Sequence, residues 1–303
     1  MKKLLVVDGN AVLHRAFHAL PPLTGKKGPV GAVFGFFSIL LRTVKEVGPD
    51  FLTICFDHPS PNFRHQQFIG YQSKRPKTDP SLVDQLKLAK RLTKKTGLPV
   101  FVKKGFEADD TIASLVAKAS KRHLKTVVLT GDRDLMQLVS DKVKLLLPVR
   151  GLSQTKLIGP TEVKEALGVM PDQVIDYKAL VGDSSDNYSG VPGIGPKTAV
   201  SLLSRYSSVK DVYRHLSQID PKVKKKLIAG QLSSDLSYDL AKTVDNLDLK
   251  LDLKKAAWNK EKLLLLAKVL ESYRFNSLLK RLKKDFNFLA DKNKSGKQLG
   301  LGI

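Results

Sequence analysis

Five carboxylates crowd into thirty residues around a single predicted helix and strand. The stretch Gly105–Asp134 opens GFEADD, closes LTGDRD and encloses IASLVAKASKRHLKTVV. Ile112, Leu115, Val116 and Ala119 recur at helical spacing, which predicts an amphipathic helix. Val127–Leu129 is too short for a helix and reads as a buried parallel strand. Glu107, Asp109 and Asp110 therefore precede the helix, and Asp132 and Asp134 follow the strand. Singly, Asp109 and Asp110 are explained as capping residues favoured by the helix dipole, and Asp132 as a turn residue. As a set they need more. Like charges converging on one sheet edge repel each other unless a cation sits among them, and bound divalent ions are the economical answer.

The flanking sequence supplies the sheet. Leu4–Val7 reads as a first strand ending at Asp8, with a turn at Gly9-Asn10 and a helix over Ala11–Ala19. Ala32–Val47 reads as a second apolar helix. Phe51–Phe56 is a second strand leading to Asp57, Val100–Val102 a third leading to Glu107, and Val127–Leu129 a fourth leading to Asp132. Strands alternating with helices predict an α/β fold with a mostly parallel sheet. In such sheets ligands bind beyond the carboxyl ends of the strands, where each of these four strands is followed by an acid.

Between Asp57 and Val100 lies a basic insertion, HPSPNFRHQQFIGYQSKRPKTDP followed by a helical SLVDQLKLAKRLTKKTG. Phe68 and Tyr71 interleave with Arg64, His65, Lys74, Arg75 and Lys77, a composition that suits stacking on unpaired bases beside phosphate contacts. It equally suits a solvated loop with buried aromatics. From about Gly159 the pattern turns all helical, with helices near Val209–Leu216, Lys222–Ala229, Leu236–Lys242 and Lys260–Lys284. In GDSSDNYSGVPGIGPKTAVSLLSRY, Asp183 and Asp186 add two more acids, and Gly193-Ile194-Gly195 precedes a helix starting Pro196-Lys197. Glycine-freed amides at a helix N-terminus suit a phosphate; the alternative is a hairpin that only packs two helices. The tail beyond Asp291 loses periodicity and is expected to be flexible.

Composition narrows the partners. The 303 residues carry a formal charge of +23, which points to a polyanion, with nucleic acid favoured over an anionic membrane surface. No 18-residue apolar run predicts a span, and Asp8 interrupts the signal-like start, so a cytosolic protein is expected. The single Cys55 excludes an internal disulfide and a thiolate metal cluster and reads as a core residue.

LLVVDGNAVLHRAFHALPPL, FDHPSPNFRH, GFEADD, LTGDRDLMQLV and GDSSDNYSGVPGIGPKTA, in that order, resemble the motif set of the bacterial 5′–3′ exonuclease and flap endonuclease family, over about residues 1–285. That family includes the N-terminal nuclease domain of DNA polymerase I. No polymerase sequence follows here, so a free-standing member is expected. The resemblance implies a PIN-like nuclease domain over 1–159 with a helical arch at about 60–95. A helix-three-turn-helix module and C-terminal helices would occupy 160–285, and a flexible tail 286–303. It places Asp8, Asp57, Glu107 and Asp109 at a first metal site and Asp110 between sites. Asp132, Asp134, Asp183 and Asp186 would serve a second. Arg15 and Arg64 would face the substrate strand. Tyr71, Gln72, Lys74 and Arg75 would begin the arch, and Gly193, Gly195 and Lys197 would hold duplex phosphates around a potassium ion. Implied partners are 5′ flaps, nicked or gapped duplex and RNA-primed ends, met by a monomer alongside a separate polymerase and ligase.

Two Mg²⁺ ions about 4 Å apart supply the activated water and charge neutralisation that phosphodiester hydrolysis needs, and hard oxygen ligands select Mg²⁺ or Mn²⁺ over softer metals. No Ser–His–Asp set or HExxH motif is present. A DNA-binding protein without catalysis and a PIN-type ribonuclease remain open; the acids disfavour the first, and the glycine hairpin and arch the second. One departure stands out. The family arch reads Tyr-Lys-x-x-Arg-Pro, whereas this chain has Gln72 at the lysine position. If the segment is helical, Lys74 lies on the face of Tyr71 and is expected to supply the missing charge.

Overall fold

The computed structural model describes residues 1–25, 28–151 and 154–286. Strand β1 (Lys3–Asp8) leads into α1 (Gly9–Ala19); a ribbon of β2 (Thr24–Gly25) and β3 (Gly28–Pro29) precedes α2 (Gly31–Val47). Next come β4 (Phe51–Cys55), α3 (Phe63–Gln67), α4 (Pro80–Lys95), β5 (Val100–Phe101), α5 (Ala108–Ser120) and β6 (Lys125–Leu129). A hairpin of β7 (Val143–Arg150) and β8 (Gln154–Ile158) completes the sheet.

The sheet order is β5-β4-β1-β6-β7-β8, parallel except for β8. The chain moves outward from β1 through β4 to β5, then returns to β6 on the other side. The topological switch therefore lies beside β1, where a parallel sheet opens a binding crevice. Strand alternation feeds two cores: Leu4 and Val6 face α5 and the helical half, while Leu5 and Val7 face α1 and α2. Cys55 is a fully buried core residue. The β7–β8 pair was not among the four strands expected. Its apolar run contains Pro148, which reads as a breaker, and Pro148 sits beside a register shift, a place where a strand tolerates proline.

The insertion differs from the expected arch over 60–95. Helix α4 is not part of an open arch: Leu82, Ala89 and Leu92 are buried in the α1–α2 core, and Gln85 caps Ala32 N at 2.7 Å. Residues 69–74 form turns rather than a helix, with Gln72 at φ 55°.

The helical half comprises α6 (Pro160–Leu167), α7 (Val174–Val181), α8 (Pro196–Arg205), α9 (Val209–Arg214), α10 (Pro221–Ala229) and α11 (Gln231–Ala241). The chain then returns through α12 (Leu253–Ala256) to α13 (Lys260–Ser272) and α14 (Asn276–Phe286). The single helix expected over Lys260–Lys284 is broken at Arg274, φ 56°, because Phe275 turns inward and is 4% exposed. Leu266, Leu270, Leu278 and Leu282 join the core of α2 and α4, so these last helices pack on the sheet unit. The tail expected to be flexible from 286 lies, from 287 onward, outside the described residues. Among the described residues no helix is long and apolar enough to cross a membrane.

Candidate active site

A cleft at the carboxyl edge of the sheet is lined by Asp8, Asp57, Glu107, Asp109, Asp132, Asp134 and Asp186, with His14, Tyr71, Gln72 and Arg75 on its walls. Local structure fixes each acid. Asp8 ends β1 and caps α1, accepting from Ala11 N at 2.9 Å and Thr130 Oγ1 at 2.8 Å. Gly9 permits this tight start, since a Cβ there would stand 2.3 Å from the Phe56 ring. Asp57 follows β4 and accepts from Ala108 N at 2.7 Å, tying it to the first turn of α5. Asp132 accepts from Asp134 N at 2.8 Å. No hydrogen-bond donor among the described residues reaches the Asp109 carboxylate, which faces Asp132, Asp8 and Glu107.

Burial, joined by neighbouring carboxylates, raises the pKa of Asp8, Asp109 and Asp132, and burial alone raises that of Asp57 against the Ala108 hydrogen bond and the nearby Lys90 and Arg75. Glu107 is pushed up to about 7, burial outweighing the nearby Arg64 guanidinium. Acids held together at such electrostatic cost, one without a donor, are hard oxygen ligands that fit divalent cations.

The second cluster is balanced differently. Ligand oxygens of Asp134, Asp183 and Asp186 lie within 4.8 Å of one another. Lys178 bridges Asp134 and Asp183, its Nζ 2.6 Å from Asp183 Oδ2, and Arg75 stands 2.6 Å from Asp186. Burial works to raise Asp183, but the Lys178 ammonium and the hydrogen bonds from Lys178 and Ser185 hold its carboxyl at about 2. Lys178 was missed in the sequence, where its only signal is a cation in the apolar helix VIDYKALV.

Several expected roles change. Asp110 does not face the cleft: fully buried, it accepts from Arg64 Nη1 and Nη2 at 2.9 and 2.8 Å, Glu107 N at 3.0 Å and Val244 N at 2.9 Å, leaving no room for a metal. Arg64 does not present a free fork to a substrate strand. It is 2% exposed and also donates to Glu107, Leu240 O and Lys242 O, so its five N–H groups are engaged. Tyr71 is 4% exposed and shares its one hydroxyl proton between Glu107 at 3.1 Å and Asp186 at 3.2 Å, so it is not free to stack on a base. Gln72 Nε2 donates to Glu107 at 3.0 Å. Lys74 sits exposed in the turn, tied to no acid among the described residues and outside the cleft lining, because residues 69–74 form turns in place of the helix that would have aligned it with Tyr71. Arg15 lines an adjoining groove with His14, His18 and Pro148 and donates to Gly151 O at 3.2 Å. Gly193, Gly195 and Lys197 are exposed at the start of α8, and a Cβ on Gly195 would meet nothing within 4 Å.

The raised acids make a pH prediction. A carboxyl whose folded pKa lies above its unfolded value stabilises the fold below the unfolded pKa, and that stability is lost as pH rises through the folded pKa. For Glu107 the window runs from 4.5 to about 7. The Tm of EDTA-treated protein is expected to fall across that window, and Mg²⁺ to raise Tm at pH 8 but not at pH 5. A flat thermal-shift profile in EDTA would contradict this assignment.

Fold and cleft define a class: a PIN-like sheet with a cation-seeking acid cleft, joined to a helical hairpin module. Two family models match consecutive segments, "5′-3′ exonuclease, N-terminal resolvase-like domain" over residues 3–168 and "5′-3′ exonuclease, C-terminal SAM fold" over 169–263. The chain is 35% identical over 290 residues to a 5′-3′ exonuclease of Aquifex aeolicus, covering 94% of this chain and 97% of that one. It is 40% identical over 279 residues to the thermostable DNA polymerase I of Thermus aquaticus, covering 91% of this chain and 32% of that protein. It thus spans about a third of the polymerase's length. The bacteriophage T5 D15 flap endonuclease, solved with DNA and metal ions, superposes with a TM-score of 0.67 at 20% identity, covering 95% of this chain and 99% of that one. The catalytic core of Rad2 with DNA superposes at 0.59 and 14% identity, over 94% and 91%. The chain belongs to the 5′–3′ exonuclease family and is an enzyme of the nuclease class.

Proposed function

We propose that this chain is a metal-dependent 5′–3′ exonuclease and 5′-flap endonuclease that hydrolyses DNA phosphodiesters. The observation that carries the reading is the donor-free Asp109 carboxylate among Asp8, Glu107 and Asp132 in the acid cleft. Mg²⁺, or Mn²⁺ in its place, held by Asp8, Asp57, Glu107, Asp109 and Asp132, with Asp134, Asp183 and Asp186 at a second position, would activate water and neutralise the scissile phosphate. Arg64 acts as a positioning residue that orients Glu107, while Arg15 and His14 line the groove that takes the cut strand. Lys178 and Arg75 moderate charge at the second acid cluster.

The net charge of +23 supplies affinity for the polyanion, and the hairpin at Gly193–Lys197 holds the duplex. The reading implies primer and flap removal in the bacterial cytoplasm, by a monomer beside a polymerase and a ligase. A PIN-type ribonuclease is the second reading, separated by cleavage rates on DNA and RNA flaps of one sequence; a faster RNA flap favours it.

The open space over Gly195 is where a phosphate would approach. Gly195→Val is expected to weaken binding to the duplex arm by about tenfold, because the side chain keeps the backbone from the phosphate. Parental affinity in fluorescence anisotropy would return the hairpin to a packing role.

A further inference from the structure

The same hairpin carries a cation of its own. Gly193 has φ 80°, and its carbonyl accepts from Lys226 Nζ at 3.0 Å. A Cβ on Gly193 would stand 3.2 Å from Lys226 Cε and 3.3 Å from Cδ and Nζ. The end of the lysine therefore lies along the hairpin, and contact is not confined to its tip.

The backbone of Lys226 is placed by packing. Leu227, the next residue, is fully buried, and its carbonyl accepts from the Tyr213 hydroxyl at 3.1 Å. Gly230 N donates to Lys226 O at 2.9 Å, closing α10. Gly230 is pressed against the hairpin so tightly that a Cβ would meet Val191 at 2.8 Å and Pro192 at 3.0 Å. The corner between α10 and α11 and the base of the hairpin thus form one packed unit, and Lys226 projects from it onto Gly193.

An ammonium and a potassium ion carry the same charge, and both seek carbonyl oxygen. Lysine offers three donors. One is given to Gly193 O, and the exposed position of Lys226 leaves the others for a phosphate. A free ion would have to displace a tethered competitor whose local concentration does not depend on the medium. The carbonyl available at Gly193 therefore does not fit the potassium ion that the family resemblance implies.

We infer that the Lys226 ammonium is the resident cation of the Gly193–Gly195 hairpin, standing in place of potassium, and that duplex binding here is indifferent to the alkali metal present. This rests on the reading of the hairpin as the duplex-binding element.

The test is fluorescence anisotropy with a labelled duplex in EDTA, in KCl or LiCl at equal ionic strength. The parent is expected to bind equally well in both salts. Lys226→Met is expected to lose about five- to tenfold in affinity in LiCl and to recover most of it in KCl, as the vacated carbonyl takes up potassium. Lys222→Met, which removes an exposed charge one turn earlier on the same helix without the contact to Gly193, sets the loss due to net charge alone. A parent that binds severalfold tighter in KCl overturns the inference, and so does a Lys226→Met that matches Lys222→Met in both salts. Gly195→Val separates the two levels. If it loses affinity while Lys226→Met does not, the hairpin reading stands and the lysine role falls; if neither loses affinity, both fall.

Discussion

Asp109→Ala leaves a folded protein that binds DNA and cuts it at least about a thousandfold more slowly than the parent. The reason lies in what surrounds the carboxylate. Asp109 accepts no hydrogen bond from the described residues and faces Asp8, Asp132 and Glu107, so its charge is a cost to the metal-free fold. Removing it relieves repulsion while deleting a ligand. The variant is therefore expected to unfold in EDTA at the same temperature as the parent or higher, and to gain less from Mg²⁺. Asp132→Ala should lose cleavage to the same degree, but it also gives up the hydrogen bond from Asp134 N and so gains less stability in EDTA. Single-turnover cleavage, anisotropy and thermal unfolding separate these effects. Cutting at a near-parental rate would remove Asp109 from the catalytic site, and a collapse in stability would mark it as structural.

Arg64→Met is expected to destabilise the protein by about 3–5 kcal/mol, the cost of leaving a buried carboxylate without its counter-charge. Asp110 is fully buried and bound by both terminal nitrogens of Arg64. The guanidinium also fastens α3 to Leu240 and Lys242 at the end of α11, so one side chain clamps the sheet unit to the helical half. For a chain of this size that loss lowers Tm by on the order of 10 °C. The double variant Arg64→Met/Asp110→Leu should recover part of the stability, since an apolar pair avoids the orphaned charge. Parental stability with lost cleavage in Arg64→Met would show the arginine free to meet substrate instead.

The sheet and most of its acids were legible because short apolar strands, each followed by a carboxylate, leave few alternatives. Asp8, Asp57, Glu107, Asp109 and Asp132 reach one cleft as the motif order and parallel topology imply. The basic residues were less legible. A guanidinium in a motif reads the same whether it faces a phosphate or a buried acid, and only packing reveals that Arg64 is enclosed. Lys74 depended on a helix that the turn at Gln72, with its positive φ, does not form. Asp110, one residue from Asp109, is turned onto Arg64 and Val244 N and away from the cleft lining, which adjacency in sequence conceals. Lys178 and Lys226 belong to no motif, and tertiary packing brings Lys178 to Asp134 and Lys226 to Gly193.

The most direct test is a 5′-flap DNA labelled at its 5′ end, with product lengths read under single-turnover conditions in Mg²⁺ and in EDTA. A fragment cut at the flap junction is expected in Mg²⁺, accompanied by short 5′-terminal products, and no product in EDTA. Undiminished cutting in EDTA, or an intact flap in Mg²⁺ despite tight DNA binding, would contradict this reading.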